Sequence, residues 1–486
     1  MLTLRVSLAL VAALSVPLPV TAQDSDVLKT PAEKLLSEAK ATAFIGVDVW
    51  VGDGKKKLTG VTVLVEDGKV KEVGKDLSVP PSYERVVGGC LTPGIVMLGS
   101  TVGQSGSRPA AARSFVVRGR RFRGMPSRGG SSRATYTPNV KVTSKLRPMD
   151  GGWAEFLKAG VTTHAVRPVK SGLSGLGGVV RPLGRKVEDM VLADERYLYI
   201  GMASNTAHKK LLRDNFKKAK ELIEARKKKP AAKTPAKPAT KPGAKPTTTP
   251  KAATTKAVPQ PKPQPKPGGD KPKPVQSKPT QATPTTAKKP AAPKKKPEDP
   301  KLVVLAKAIE KKLAVMLSIN SGGDLLHALD ALSDTDFPLV LMHQFSRGAT
   351  DTPDHMVAQL KKRKVRCVLS ADLGYAPNTR YFVNPIAKLM KAGVEVVLVP
   401  GRQHELKTLW FRLNELARAG ISRAKLVEAI SGAPAKLVGV QNRVGTIAKG
   451  MDANLLHFSR DPFSPATHLV RVYFEGRAVK GVSTKH

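Results

Sequence analysis

At 486 residues the chain has room for one large domain or two to three ordinary ones. With only Cys90 and Cys367 it is neither a disulfide-framed domain nor a thiolate metal protein, whether the two pair or sit apart as core thiols. The formal net charge of +44 is extreme, but it gathers in two segments and describes them more than the whole chain.

The first 22 residues read as a secretory leader. Arg5 supplies the positive start, Leu8–Val16 the short apolar run, and Val20-Thr21-Ala22 a small-residue cleavage site. That run is too short to span a bilayer, and no later segment reaches about 18 uninterrupted apolar residues. The expectation is an exported protein, periplasmic or secreted, with no transmembrane segment.

Residues 43–93 alternate as strands. AFIGVDVWVGDG ends in an Asp-Gly turn, and VTVLVEDGKVKEVG forms a hairpin around Glu66-Asp67-Gly68-Lys69. Arg85–Met149 then contains no Asp or Glu, and Ser107–Pro148 within it reads as a loop rich in Arg, Gly and Ser. Beyond it the pattern becomes helix-then-strand. WAEFLKAG leads into VTTHAV, and a helix over Lys209–Arg226 follows. Arg226–Pro300 carries a net charge of +17 and 19 prolines in 75 residues, too little apolar surface to fold, so it reads as an extended insertion whose ends meet at the surface.

The alternation resumes with a helix over Lys301–Lys312 and the strand LAVMLSI. DLLHALDAL and FPLVLMH come next, then MVAQLKKRK and VRCVLSA, then IAKLMKAG and VEVVLVP. KTLWFRLNELARAG and SRAKLVEAISGAPAKLVG close the helical series. Val444–Val482 returns to strands with LVRVYFEGRAVKG. Repeated helix–strand units predict a (β/α)8 barrel, with a doubly wound sheet as the alternative. The two terminal β regions are expected to share one small composite sandwich. The implied divisions are 1–22, 43–93, 94–225, 226–300, 301–440 and 441–486.

Three stretches carry a resemblance to a known family: LTPGIV after the first hairpin, AGVTTHAVRPVKSGLSGLGGVVRPLG (Ala159–Gly184), and ISRAKLVEAISGAPAKLVGVQNRVGTIAKGMDANLLHFSRDPF (Ile421–Phe463). In order and spacing the chain resembles the amidohydrolase superfamily, in particular its imidazolonepropionase-like secreted members. The resemblance implies a barrel whose C-terminal mouth holds one or two divalent metals, zinc among them, that activate a hydrolytic water. It also implies that SGLSGLGGVV (Ser171–Val180) is a Gly-rich barrel loop.

At the implied ligand positions the chain departs from the family. Gly99 and Thr101 stand where a His-x-His is expected, Ser318 and Asn320 where the fifth strand would supply histidines, and Gly401 where the last strand would supply an aspartate. Arg181 stands where close relatives often carry a lysine. His343 remains, either as a weak metal ligand or as a pocket-lining histidine. His404 and Glu405 could form a substitute pair and Asp372 a substitute carboxylate, or these are a surface loop and a cap. His164 is expected to be a packed core histidine, and His208 and His355 to be solvated. Other nucleophile and phosphate-loop motifs are missing.

Two functions follow. One is a pseudoenzyme of the cell envelope that binds or scaffolds without metal; the other is a divergent hydrolase of non-peptide C–N bonds in cyclic or linear amides, acting on a small molecule. Either is compatible with the Lys/Arg-rich segments tethering the barrel to an anionic polymer.

Overall fold

The computed structural model describes residues 29–104, 114–117, 120–123, 134–203, 205–228, 298–343, 353–375, 379–400 and 403–482. The expected leader, the charged insertion beyond Lys228, much of the Arg-rich stretch and Gly401 lie outside the described residues.

The two ends of the chain build one sheet. β1 (Thr42–Val49), β2 (Leu58–Glu66), β3 (Lys69–Gly74), β4 (Glu84–Val87) and β5 (Cys90–Pro93) come from the front. The hand-over to the barrel is immediate, because only Gly94 separates β5 from β6 (Ile95–Ser100). A short hairpin, β7 (Ser114–Val117) and β8 (Arg120–Arg123), lies in the Arg-rich stretch, and β9 (Thr135–Tyr136) ends it.

The other barrel strands follow in chain order. They are β10 (Val161–Val166), β11 (Gly172–Val180), β12 (Val191–Gly201), β13 (Ala314–Ile319), β14 (Leu339–His343) and β15 (Arg366–Ser370). A small ribbon, β16 (Gly374–Tyr375) with β17 (Phe382–Val383), precedes β18 (Val396–Val399). β19 (Leu455–Phe458), β20 (Leu469–Phe474) and β21 (Arg477–Ala478) return to the terminal sheet.

That sheet has the order β21-β20-β19-β5-β1-β2-β3, with β4 beside β1. It forks where β1 pairs with β4 through Thr42–Ile45 and with β5 through Asp48 and Val49. The pairings therefore run as one continuous sheet, where the sequence led us to expect a sandwich. β5 and β19 join the two ends antiparallel, Leu91 opposite His457. Lys57 bridges them too, its ammonium 2.7 Å from Asp48 and 2.9 Å from Asp461.

The barrel sheet has the order β18-β15-β14-β13-β12-β11-β10-β6, with β9 beside β11. Its seam is nearly closed: the helices Arg423–Ile430 and Gly432–Leu437 pack against both β18 and β6. Alternate residues divide the faces, as the pleat requires. Val96, Leu98, Tyr197, Met316, Val340 and Val397 fill the interior, while Leu317, Leu341, Leu369 and Leu398 meet the outer helices. Capping fixes several of those helices. Ser321 and Asp324 form a capping box on Gly322–Ala331, and Asn384 accepts from the Ala387 N–H at the start of Pro385–Lys391.

Two segments depart from their sequence reading. The Gly-rich stretch expected as a loop is β11, buried along its whole length and antiparallel to both β10 and β12. Residues 167–171 are too few for a crossover helix, so β11 must reverse direction beside β10. Its glycines make room for β12: a Cβ on Gly177 would lie 2.2 Å from the Tyr197 ring. Tyr197 passes over this bare backbone and donates its hydroxyl proton to the Val166 carbonyl on β10 at 2.7 Å. Residues 134–148, read as part of the Arg-rich loop, instead belong to the barrel wall. There Val142 and Leu146 are buried, and the Thr143 hydroxyl donates to Asp194 at 2.9 Å.

The insertion leaves and re-enters at one place. The helix Thr206–Lys228 ends beside the start of the helix Pro300–Ile309, and Arg226 pairs with Glu298 at 2.5 Å. Asp299 caps the second helix by accepting from the Lys301 N–H at 2.9 Å. Cys90 and Cys367 are both free and buried, and desolvation pushes the Cys367 thiol up to about 12. His208 is buried where exposure was expected, because its Nδ1 accepts from the Ala203 N–H at 2.9 Å. His355 is exposed.

His164 is a core residue on β10. Its Nδ1 lies 3.1 Å from the Ser100 hydroxyl, and Trp153 and Phe156 meet its ring edge-on. Complete burial drives its pKa down from 6.5 to about 3. Between those values the unfolded chain binds a proton that the folded chain refuses, so stability falls as pH drops from 6.5 towards 3. Urea unfolding over this window should show a wild-type slope exceeding that of His164→Leu by up to about 1.4 kcal/mol per pH unit. Gly177→Ala should cost about 2–3 kcal/mol in the same assay, because the added methyl displaces the buried Tyr197 ring.

Candidate functional site

The C-terminal ends of the parallel strands form the barrel mouth, where this architecture places its chemistry. β6 reaches it through a bulge at Gly99: Leu98 faces Ala165 and Ser100 faces Val166, with Gly99 extra between them. The residue has φ +71°, and the bulge turns its side-chain direction into the barrel. A Cβ there would lie 2.4 Å from Cε of Met342 and 2.7 Å from its Sδ. The thioether of β14 thus fills the space that a ligand projecting from position 99 would need. Thr101 follows, half-buried, beyond the strand end.

Ser318 on β13 stands in register with Met342 and shares the interior parity of Met316. Asn320 is exposed, and its backbone N–H donates to the Asp324 carboxylate at 2.9 Å, so it belongs to the start of the next helix. His343 is buried. On β14 it alternates with the interior residues Val340 and Met342 and shares the parity of Leu339 and Leu341, which face the helices. This strand end therefore presents methionine to the interior, one position before the histidine.

Asp372 lies just past β15 and forms an ion pair with Arg412 of the helix Leu409–Arg418. Arg412 also donates to the Thr408 hydroxyl at 3.2 Å, which ties Asp372 to the turn Gln403–Thr408 that carries His404 and Glu405. Glu405 is half-buried in that turn. Arg181 is not at the mouth. Because β11 runs backwards, its last residue Val180 pairs with Val191 at the start of β12, and Arg181 binds Glu475 of the terminal sheet at 2.7 Å.

Three residues that the sequence did not single out occupy the mouth: Arg167, Tyr199 and Met342. Arg167 follows β10 directly. Its Nε donates to the Gly99 carbonyl at 3.2 Å, and its Nη1 donates to the Pro168 carbonyl at 3.1 Å and to the Tyr199 hydroxyl at 3.0 Å. The guanidinium carbon lies 5.2 Å from the centre of the Tyr199 ring. A signal was present in the interior parity of Tyr197 and Tyr199 and in a charge placed straight after VTTHAV, but no spacing rule joins them.

These residues do not fit the metal that the resemblance implies. A divalent cation of the zinc class needs neutral imidazoles and carboxylates, usually three or more from the protein. The mouth offers a glycine backed by a thioether, a serine and a guanidinium that repels cations. Among the described residues no group of three or more His, Cys, Asp or Glu is placed to hold a metal.

No protein-family model matches the chain, and no curated protein matches it. Solved structures do. An amidohydrolase from Thermotoga maritima aligns with a TM-score of 0.61 at 21% identity, over 90% of this chain and 99% of that one. A beta-aspartyl dipeptidase from Fervidobacterium islandicum aligns at 0.48 and 13%, over 92% and 99%. Molinate hydrolase aligns at 0.45 and 15%, over 91% and 95%. At these identities the likeness is one of architecture, and the chain has the fold of an amidohydrolase.

Proposed function

We propose that the chain is an exported pseudoenzyme of the cell envelope, related to the imidazolonepropionase-like amidohydrolases, in which the barrel binds or scaffolds without metal hydrolysis. The observation that carries this reading is the Met342 thioether packed into the place of a side chain at Gly99. A side chain there would have to displace the end of the Met342 side chain before it could reach the interior. Arg167 beside Gly99 supports the same reading, because a fixed cation opposes a metal ion at short range.

The second reading is a divergent hydrolase of non-peptide C–N bonds that uses His343, Asp372, His404 and Glu405. In its favour, Arg412 draws Asp372 to the turn bearing His404 and Glu405. Against it, the same ion pair engages the carboxylate that would have to act as base.

The basic segments add a tether. Arg226–Pro300 and Ser107–Pro148 carry enough Lys and Arg to hold an anionic envelope polymer by counterion release.

Elemental analysis of the purified full-length protein should find zinc, iron and manganese far below one ion per chain. Stoichiometric metal that survives dialysis would overturn the pseudoenzyme reading. Retention on an anionic polysaccharide column should fall steeply and log-linearly with salt. Salt-independent retention would remove the electrostatic tether.

A further inference from the structure

The mouth of the barrel holds a guanidinium, Arg167, that no carboxylate pairs with among the described residues. Arg167 is half-buried, its N–H donates to the Ser100 carbonyl at 2.9 Å, and its carbonyl accepts from the Gln104 side chain at 2.8 Å. The guanidinium partners are two carbonyls and a phenol, and no Asp or Glu pairs with it among the described residues. A guanidinium carries five N–H donors, and these three contacts leave both protons of Nη2 without an acceptor among the described residues. Tyr199 is 3% exposed; its hydroxyl accepts from Arg167 and keeps its own proton without an acceptor among the described residues.

Both features are costly when left alone. A partly desolvated charge wants a counterion, and a buried hydroxyl proton wants an acceptor. One oxyanion meets both needs, taking charge-assisted bonds from Nη2 and a third from the phenol. The fork is also preorganised: Nε and Nη1 are already committed, so the free edge has one orientation. β6 presents a glycine and no carboxylate beside Arg167 to compete for this edge.

We propose that the barrel mouth is an oxyanion-binding site for a small molecule bearing a carboxylate or phosphate group, with Arg167 Nη2 and the Tyr199 hydroxyl as its donors. The site stands where the architecture otherwise keeps a metal, and the assignment rests on the binding-module reading above. It adds to that reading a ligand class and two named donors.

The test is a thermal-shift and calorimetric titration of the full-length protein with acetate and with inorganic phosphate, at constant ionic strength balanced with chloride. Anion exchange on the basic segments is common to the wild type and the variants below, so the difference between them reads the mouth alone. The expected result is saturable binding of at least one anion, and comparison of the two separates a carboxylate from a phosphate ligand. Arg167→Gln should weaken it by about 10- to 100-fold and Tyr199→Phe by about 3- to 10-fold. Arg167→Lys keeps the charge, loses the fork, and guards against misfolding of the glutamine variant; it too should bind more weakly.

Unchanged affinity in both Arg167 variants, or no saturable binding by the wild type, overturns the site. Metal content measured on the same preparation separates the two readings. A metal-free protein that ignores both anions loses the oxyanion site and keeps the pseudoenzyme reading, whereas a metal-loaded one loses the latter.

Discussion

The arrangement depends on a glycine in one strand, Gly177 of β11. β11 lies between β10 and β12, and Gly177 leaves its backbone thin enough for Tyr197 of β12 to reach across it. Tyr197 binds the Val166 carbonyl through this gap, and Tyr199, two residues further along, receives Arg167 from the turn that β11's reversal creates. A side chain at Gly177 would separate those strands by the width of a ring. The same bare stretch thus closes the barrel wall and fixes the geometry at its mouth.

The mouth combines tight packing with a fixed positive charge. Voids in a packed interior cost stability in proportion to their volume. Here the void beside Gly99 is filled by Met342, whose flexible thioether suits irregular gaps. Beside it, a guanidinium held by two carbonyls and an aromatic face supplies a positive potential at the strand ends. Packing therefore sets the shape of the interior next to Gly99, and Arg167 contributes a positive charge at the mouth.

Much of the architecture was legible in the sequence because it rests on local periodicity. The helix–strand alternation from WAEFLKAG to VEVVLVP maps onto structured elements one by one, and the hairpin turn at Asp67-Gly68 has the left-handed backbone its residues favour, φ 50° and 75°. β11 escaped because glycine signals a loop locally, whereas here it answers to a tyrosine on another strand. Residues 134–148 escaped because arginine-rich neighbours masked Val142 and Leu146. At the mouth, residue type alone did not give the direction of His343. A histidine at a strand end counts as a ligand only if its parity faces the barrel, and parity is set by the pairing of β14 with its neighbours. Arg167 follows β10 while Tyr199 and Met342 lie on β12 and β14; Arg167 meets Tyr199 directly, and Arg167 and Met342 both meet Gly99 at its bulge.

The Arg226–Glu298 pair has an evolutionary consequence. The two helices that flank the insertion are joined at one point on the barrel. For any flexible chain spanning ends so joined, closure entropy would grow only logarithmically with length, and a doubling would cost about 0.6 kcal/mol, less than a single core substitution. A change of length at this point would therefore pass almost no penalty back to the fold. The barrel can stay under tight steric constraint while the spacing in sequence between these two helices varies.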